Sequence, residues 1–160
     1  MLYLRALLFA VAVPGTVTVV IPWSLVRGRT PFEVGALSIL GLPLVVAGAA
    51  ALLWCIWDFA RTGRGTLAPV DPPRALVRRG LYAHVRNPMY VGVVTTLLGE
   101  ALFTGVAAIA GLAATMALVF HMFVLGYEEP TLRRVFGASY EDYCRAVPRW
   151  LPRWTPAPRE

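Results

Sequence analysis

The chain has no lysine: all 15 of its basic residues are arginine. Beside its richness in Ala, Val and Gly, this points to a compositional bias of the source as much as to a function, so the net charge of +6 has to be read by position. The arginines cluster between apolar runs, where retention of positive charge on the cytoplasmic side of a membrane accounts for them, and no nucleic-acid partner is expected. Cysteine is also scarce. Cys55 lies in an apolar run and Cys144 in a charged segment, far apart and without metal-ligand spacing, so neither a disulfide nor a metal site is expected. Nor does a convincing small-residue cleavage site follow the first apolar run, which continues past Pro14 to Ile21 and reads as an uncleaved span rather than a secretory signal. No internal repeat is found.

What remains is apolar. With 160 residues, 58% of them hydrophobic, and a mean hydropathy of +0.62, the chain is too apolar for an ordinary soluble domain and too short for two large ones. The expected fold is all-α: a single polytopic membrane domain over 1–160, with about four transmembrane helices plus a C-terminal amphipathic helix. Residues 2–22, 35–58, 88–104 and 106–126 each approach the roughly 20 residues that a hydrocarbon core of about 30 Å requires. Pro14 and Pro43 are expected to kink the first two spans, and the small residues Ala47 to Ala51 of the second offer a surface for close helix approach. A short turn at Thr104-Gly105 joins the third span to the fourth. Over 131–146, Leu132, Val135, Phe136, Tyr140 and Tyr143 recur at helical spacing, with a break expected at Gly137. Trp150 and Trp154 read as interface anchors, and the Pro-rich stretch from Pro152 to Pro158 as irregular.

Position sorts the arginines. Arg61, Arg64, Arg74, Arg78, Arg79 and Arg86 fall in the second connection and Arg133, Arg134, Arg145, Arg149, Arg153 and Arg159 after the last span, against Arg27 and Arg29 in the first connection. Both termini and the 61–87 loop are therefore expected on the cytoplasmic face.

Two polar clusters share that face. Asn87 and Pro88 suit the N-cap and first position of the third span, whose free N–H groups form an anion site. Glu128-Glu129 ends the fourth span, and two adjacent like charges want a cationic or hydroxyl-rich partner. His121, seven residues before Glu128, should lie on the same helix face, either hydrogen-bonded to a neighbouring helix or serving as a base or acceptor-orienting group. A helix end for a carboxylate, acids for an amine and hydroxyls, and aromatic walls together describe S-adenosylmethionine better than NADPH, whose phosphates want more arginines.

These residues also carry a family likeness. Gly80-Leu81-Tyr82, Arg86-Asn87-Pro88-Met89-Tyr90-Val91-Gly92, Glu128-Glu129-Pro130-Thr131-Leu132, Phe136-Gly137, Tyr140, Tyr143 and Val147-Pro148-Arg149 resemble the isoprenylcysteine carboxyl methyltransferase and phospholipid N-methyltransferase group of integral membrane enzymes, over about 66–152. The resemblance implies two N-terminal spans in 1–65, a cofactor-binding core in 66–152, and S-adenosyl-L-methionine contacted by Arg74, Ala75, Leu76, Val77, Tyr82, Asn87, Pro88, Met89, Tyr90, Glu128 and Glu129. His121 is then the candidate catalytic residue, a lipophilic acceptor in the bilayer the partner, and the bacterial inner membrane the location. Many relatives have His where this chain has Asn87, which can donate a hydrogen bond but cannot carry charge. Position 124 is Val where carboxyl methyltransferases would place a substrate-contacting Arg. Two other functions fit the same core: an NADPH-dependent reductase of the sterol-reductase type, and a non-catalytic lipid-binding protein.

Overall fold

The structure, a computed structural model, describes residues 12–27, 35–62 and 76–157. The first part of the expected first span and the loop residues 63–75 lie outside the described residues. Every regular element among the described residues is helical, as an apolar chain must be if its backbone groups are to be satisfied without water.

Helix α1 (Ala12–Val26) is interrupted by a wide π-turn at Thr16–Val20. Proline explains it. Pro22 has no N–H and its ring presses on the carbonyl four residues back, so the preceding turn widens and the Ile21 N–H reaches Thr16 O instead. Thr16 and Thr18 return their hydroxyls to the carbonyls of Ala12 and Pro14.

Helix α2 (Ser38–Thr62) carries Pro43 inside it and runs antiparallel to α3 (Pro88–Thr104). Their seam is made of glycine. Gly41 and Gly48 on one helix, and Gly92 and Gly99 on the other, recur at seven-residue spacing, two turns apart. A methyl group on Gly41 would stand 2.5 Å from Phe103 N, one on Gly48 2.6 Å from Thr96 N, and one on Gly99 2.6 Å from Val45 N. The two backbones therefore touch directly, the arrangement small residues permit in membranes, where packing rather than water exclusion holds helices together.

Gly105, at φ +66°, ends α3 in the left-handed conformation, its N–H returning to Ala101 O. That is the expected turn. Helix α4 (Ala107–Phe123) follows and packs Ile109 and Ala113 onto Leu97, Ala101 and Leu52. An end to the span near 126 was expected, with a separate helix from 131. Instead the helix continues through a second π-turn, Val124–Glu128, into α5 (Glu129–Phe136), one run of 30 residues from Ala107 to Phe136. Pro130 stands two residues beyond this π-turn just as Pro22 stands two beyond the first, with the same cause. Gly137, at φ +53°, then breaks the helix where expected, and α6 (Ala138–Ala146) follows.

The runs Gly35–Asp58 and Ala107–Phe136 are long and apolar enough to cross a membrane, with α1 and α3 as shorter apolar helices beside them. Leu53, Trp54 and Trp57 on α2 and Leu118, Val119 and Met122 on α4 are largely exposed, as lipid-facing side chains are. This is an all-α membrane protein. A second core of Tyr140, Tyr143 and Val147, packed with Leu76, Leu132 and Phe136, sits at the end where α5 and α6 meet the 76–87 segment.

Candidate cofactor site

The chain enters α3 through a 3-10 turn at Gly80–Ala83, and Asn87 takes the N-cap position with Pro88 first in the helix. The asparagine side chain does not cap. It is buried, and its amide donates to the Arg149 carbonyl at 3.2 Å. The capping role expected from sequence is therefore corrected: a strap, residues 148–157, lies across the helix start and draws the amide away. In consequence the first-turn N–H groups of Met89 and Tyr90 keep no side-chain cap.

The strap is fastened by backbone. Arg86 N donates to Pro148 O, Arg153 N to His84 O and Ala157 N to Ala83 O, at 2.9, 3.0 and 2.9 Å. Side chains add to it: the His84 ring meets Arg153 O at 2.8 Å and the Arg153 guanidinium donates to Ala146 O. Among the described residues the proline-rich stretch has no regular structure, as expected, yet it is bonded at close intervals. Trp154 is fully exposed, in keeping with an anchor, whereas Trp150 turns inward.

Glu129 organises the ground beneath the strap. It is 2% exposed, and its carboxylate receives Arg149 through both oxygens at 2.6 and 3.1 Å, Arg86 at 3.0 Å and Arg133 at 3.4 Å. A buried carboxylate is tolerable only when paired and hydrogen-bonded, which three arginines from three segments achieve. Arg86 also donates to Cys144 Sγ at 2.8 Å.

Glu128 has a different environment. Its Oε2 accepts from the Tyr90 hydroxyl at 3.1 Å, and its Oε1 has no protein partner among the described residues. Tyr90 in turn stacks on Phe120, with ring centroids 4.5 Å apart, which ties α3 to α4 beside the acid. His121 and Glu128 were expected on one face. The π-turn between them rotates the later residue out of the two-turn register, so Glu128 meets Tyr90 while His121 accepts from Trp150 Nε1 at 3.2 Å.

Tyr82 is brought in beneath: its carbonyl accepts from Tyr143 Oη at 2.8 Å, and its side chain meets Cys55 of α2. Burial pushes both tyrosine hydroxyls above their ordinary range. Leu76 joins the Tyr140, Tyr143 and Val147 cluster and Val77 is half-buried next to it in sequence, while Arg74 and Ala75 lie outside the described residues. Arg78 does more than set topology: it donates to the carbonyl and hydroxyl of Ser139 and lies over the Tyr143 ring, 5.8 Å from its centroid. The site thus gathers Tyr82, Asn87 to Tyr90, Glu128 and Glu129 at one end of the helices. Sequence reasoning gave Arg86, Arg149, Trp150 and His84 no role here. For the two arginines the signal was an acid, Glu129, in a largely apolar setting that only arginine could satisfy.

Comparison with known proteins bears on the family. The family model described as phospholipid methyltransferase matches residues 36–139. Protein-S-isoprenylcysteine O-methyltransferase of Schizosaccharomyces pombe is 36% identical over 77 residues, 48% of this chain and 33% of that protein. The match therefore spans a third of the relative's length. No solved structure matches. A model match extending from α2, through the glycine seam and the Arg86 to Tyr90 helix start, to the acidic pair and Gly137 places the chain in the phospholipid methyltransferase family.

Proposed function

We propose that the chain transfers a methyl group from S-adenosylmethionine to a lipophilic acceptor at the cytoplasmic face of the membrane, in the bacterial inner membrane with both termini cytoplasmic. One observation carries the reading: an uncapped, buried start of α3 lies beside a carboxylate with an open oxygen, joined to it by the Tyr90–Glu128 hydrogen bond. The N–H groups of Met89 and Tyr90 suit a carboxylate, and Glu128 Oε1 suits an ammonium or a ribose hydroxyl, so the donor set fits the zwitterionic end of this cofactor.

When bound, the cofactor supplies a sulfonium methyl, a strong electrophile whose bonding pair passes to sulfur as the acceptor's lone pair forms the new bond. The chain's residues bind, orient and exclude water. Glu128, rather than Glu129, holds the cofactor's amine. Glu129 fixes Arg86 and Arg149, and through them the strap that closes the helix start. Tyr82, Leu76 and Val77 supply walls. Positioning and desolvation account for such a reaction, without an obligatory metal or base.

The test is thermal stabilisation of the detergent-purified protein by S-adenosylmethionine, S-adenosylhomocysteine and NADPH in parallel. A ligand at 100 times its dissociation constant adds about 2.7 kcal/mol. Stabilisation by the two adenosyl compounds is expected, and its loss in Glu128→Gln with folding retained. Stabilisation by NADPH alone would replace the reading with the reductase, no stabilisation of a folded sample with lipid binding, and unchanged affinity in Glu128→Gln would remove that residue from the site.

A further inference from the structure

The chain has two histidines, and the strap meets both. His84 Nδ1 lies 2.8 Å from the carbonyl oxygen of Arg153. A carbonyl only accepts, so Nδ1 carries the proton there and Nε2 is bare. At His121 the partner is Trp150 Nε1, 3.2 Å from Nδ1, and an indole N–H only donates. Here Nδ1 is bare and Nε2 carries the proton. Residues 150 and 153 of one short strap thus hold the two imidazoles in opposite tautomers.

For His121 this has a chemical consequence. The ring's available lone pair is taken by the indole, so the imidazole is not free to remove a proton from anything else. Its Nε2–H, by contrast, meets no partner among the described residues. The ring is half-buried on α4, less than a turn before the π-turn that carries Glu128. That N–H is not enclosed by protein, so it stands open to a molecule from outside the fold.

We propose that His121 is a fixed hydrogen-bond donor to the acceptor substrate through Nε2–H, and that Trp150 is the positioning residue that holds this tautomer. The role rests on the methyl-transfer reading above. It means that the acceptor presents a lone pair to His121, and that any proton lost on methylation leaves by another route. The general base that His121 could have been from sequence is replaced by a donor.

The test is nitrogen NMR of protein carrying 15N in its histidine rings, in detergent micelles at about pH 8. Correlations from each ring nitrogen to the carbon-bound ring protons should show two neutral rings of opposite pattern. Trp150→Phe keeps an aromatic ring beside His121 but removes its N–H. It should move both His121 nitrogens toward the values of exchanging tautomers and leave His84 in place, which also assigns the two rings. A cationic ring, an Nδ1–H form at His121, or His121 signals indifferent to Trp150→Phe would overturn the proposal. If that variant does not fold, the wild-type pattern decides, with opposite tautomers supporting the proposal and two like ones overturning it.

The role is read by adding S-farnesylcysteine or phosphatidylethanolamine, a prenylated cysteine and a phospholipid, to protein saturated with S-adenosylhomocysteine. A shift of the His121 Nε2–H signal with either supports the donor role, and none with both overturns it. Binding of S-adenosylhomocysteine is measured on the same sample. Its absence would overturn the methyl-transfer reading and the role together, while the tautomer pattern stands or falls on its own spectrum.

Discussion

Replacing Gly99 by alanine adds one methyl group, and its effect can be worked from the seam between α2 and α3. The new carbon would stand 2.6 Å from Val45 N, 2.7 Å from Gly41 O and 2.9 Å from Leu44 Cβ. Carbon in ordinary contact sits about 3.5–4.0 Å away, so the backbones must separate by roughly 1 Å. Two of those three atoms belong to backbone, which has no rotamer to change. Alanine gains about 1 kcal/mol of helix propensity over glycine, but overpacking costs about 1–3 kcal/mol. Separation also loosens Gly41, Gly48 and Gly92, which share the seam, so the cost falls at the upper end. The expected net loss is about 2 kcal/mol, a fall in Tm of roughly 4–8 °C for a chain of this size, measured by thermal unfolding in detergent. Gly111→Ala on α4 is the control. A methyl there has nothing within 4 Å, so only the propensity gain applies and Tm should hold or rise. Equal behaviour of the two variants, or a Gly99→Ala protein as stable as the parent, would refute the direct backbone contact.

Glu129→Gln removes the charge that Arg86, Arg149 and Arg133 share, and should cost about 3 kcal/mol in a stability measurement, toward the low end of breaking a buried pair because Arg133 and Arg149 keep contact with water. Asn87→Asp replaces the donor to Arg149 O with a carboxylate that seeks the first-turn N–H groups. Affinity for S-adenosylmethionine in calorimetry should then fall at least about tenfold, the equivalent of one net hydrogen bond, while the helix remains. Alkaline pH should unfold the protein: burial holds the hydroxyls of Tyr82, Tyr140 and Tyr143 above their ordinary range. Below the unfolded value of about 10 all three are neutral in both states. Above it only the unfolded chain ionises readily, so stability should fall as pH rises past that point in a melting series.

Much of the scaffold was legible because single residues dictate it. Gly105 and Gly137 fall where a left-handed residue must end a helix, Pro88 where a helix can begin, and the apolar runs where spans are required. The glycine seam was half-read: the small surface around Gly48 was seen, but its register with Gly41, Gly92 and Gly99 required matching two seven-residue spacings across helices. The continuation through Gly126 was missed because the apolar run ends there; the π-turn that carries the helix on precedes Pro130 as another precedes Pro22. At the site, the acids and the helix start were visible as residue types. Their division of labour was not, since Glu128 and Glu129 are neighbours in sequence and differ only in what distant residues bring to them. The strap left no pattern, because its anchors are the backbone groups of Ala83, His84, Arg86 and Pro148, which every sequence possesses.

The glycine seam also governs motion. Where their backbones touch, two helices cannot part by turning a side chain, so α2 and α3 tilt and translate as one plate. Their shared edge is closed to a lipid tail along the length from Gly41 to Gly48. The contact of α4 on α3 is much smaller, and the rod from Ala107 to Phe136 carries Glu128 and Glu129 at its far end. Rod and plate are joined by the hydrogen bond between Tyr90 on one and Glu128 on the other, beside the Tyr90–Phe120 stack, so the site closes across the weaker of the two helix contacts.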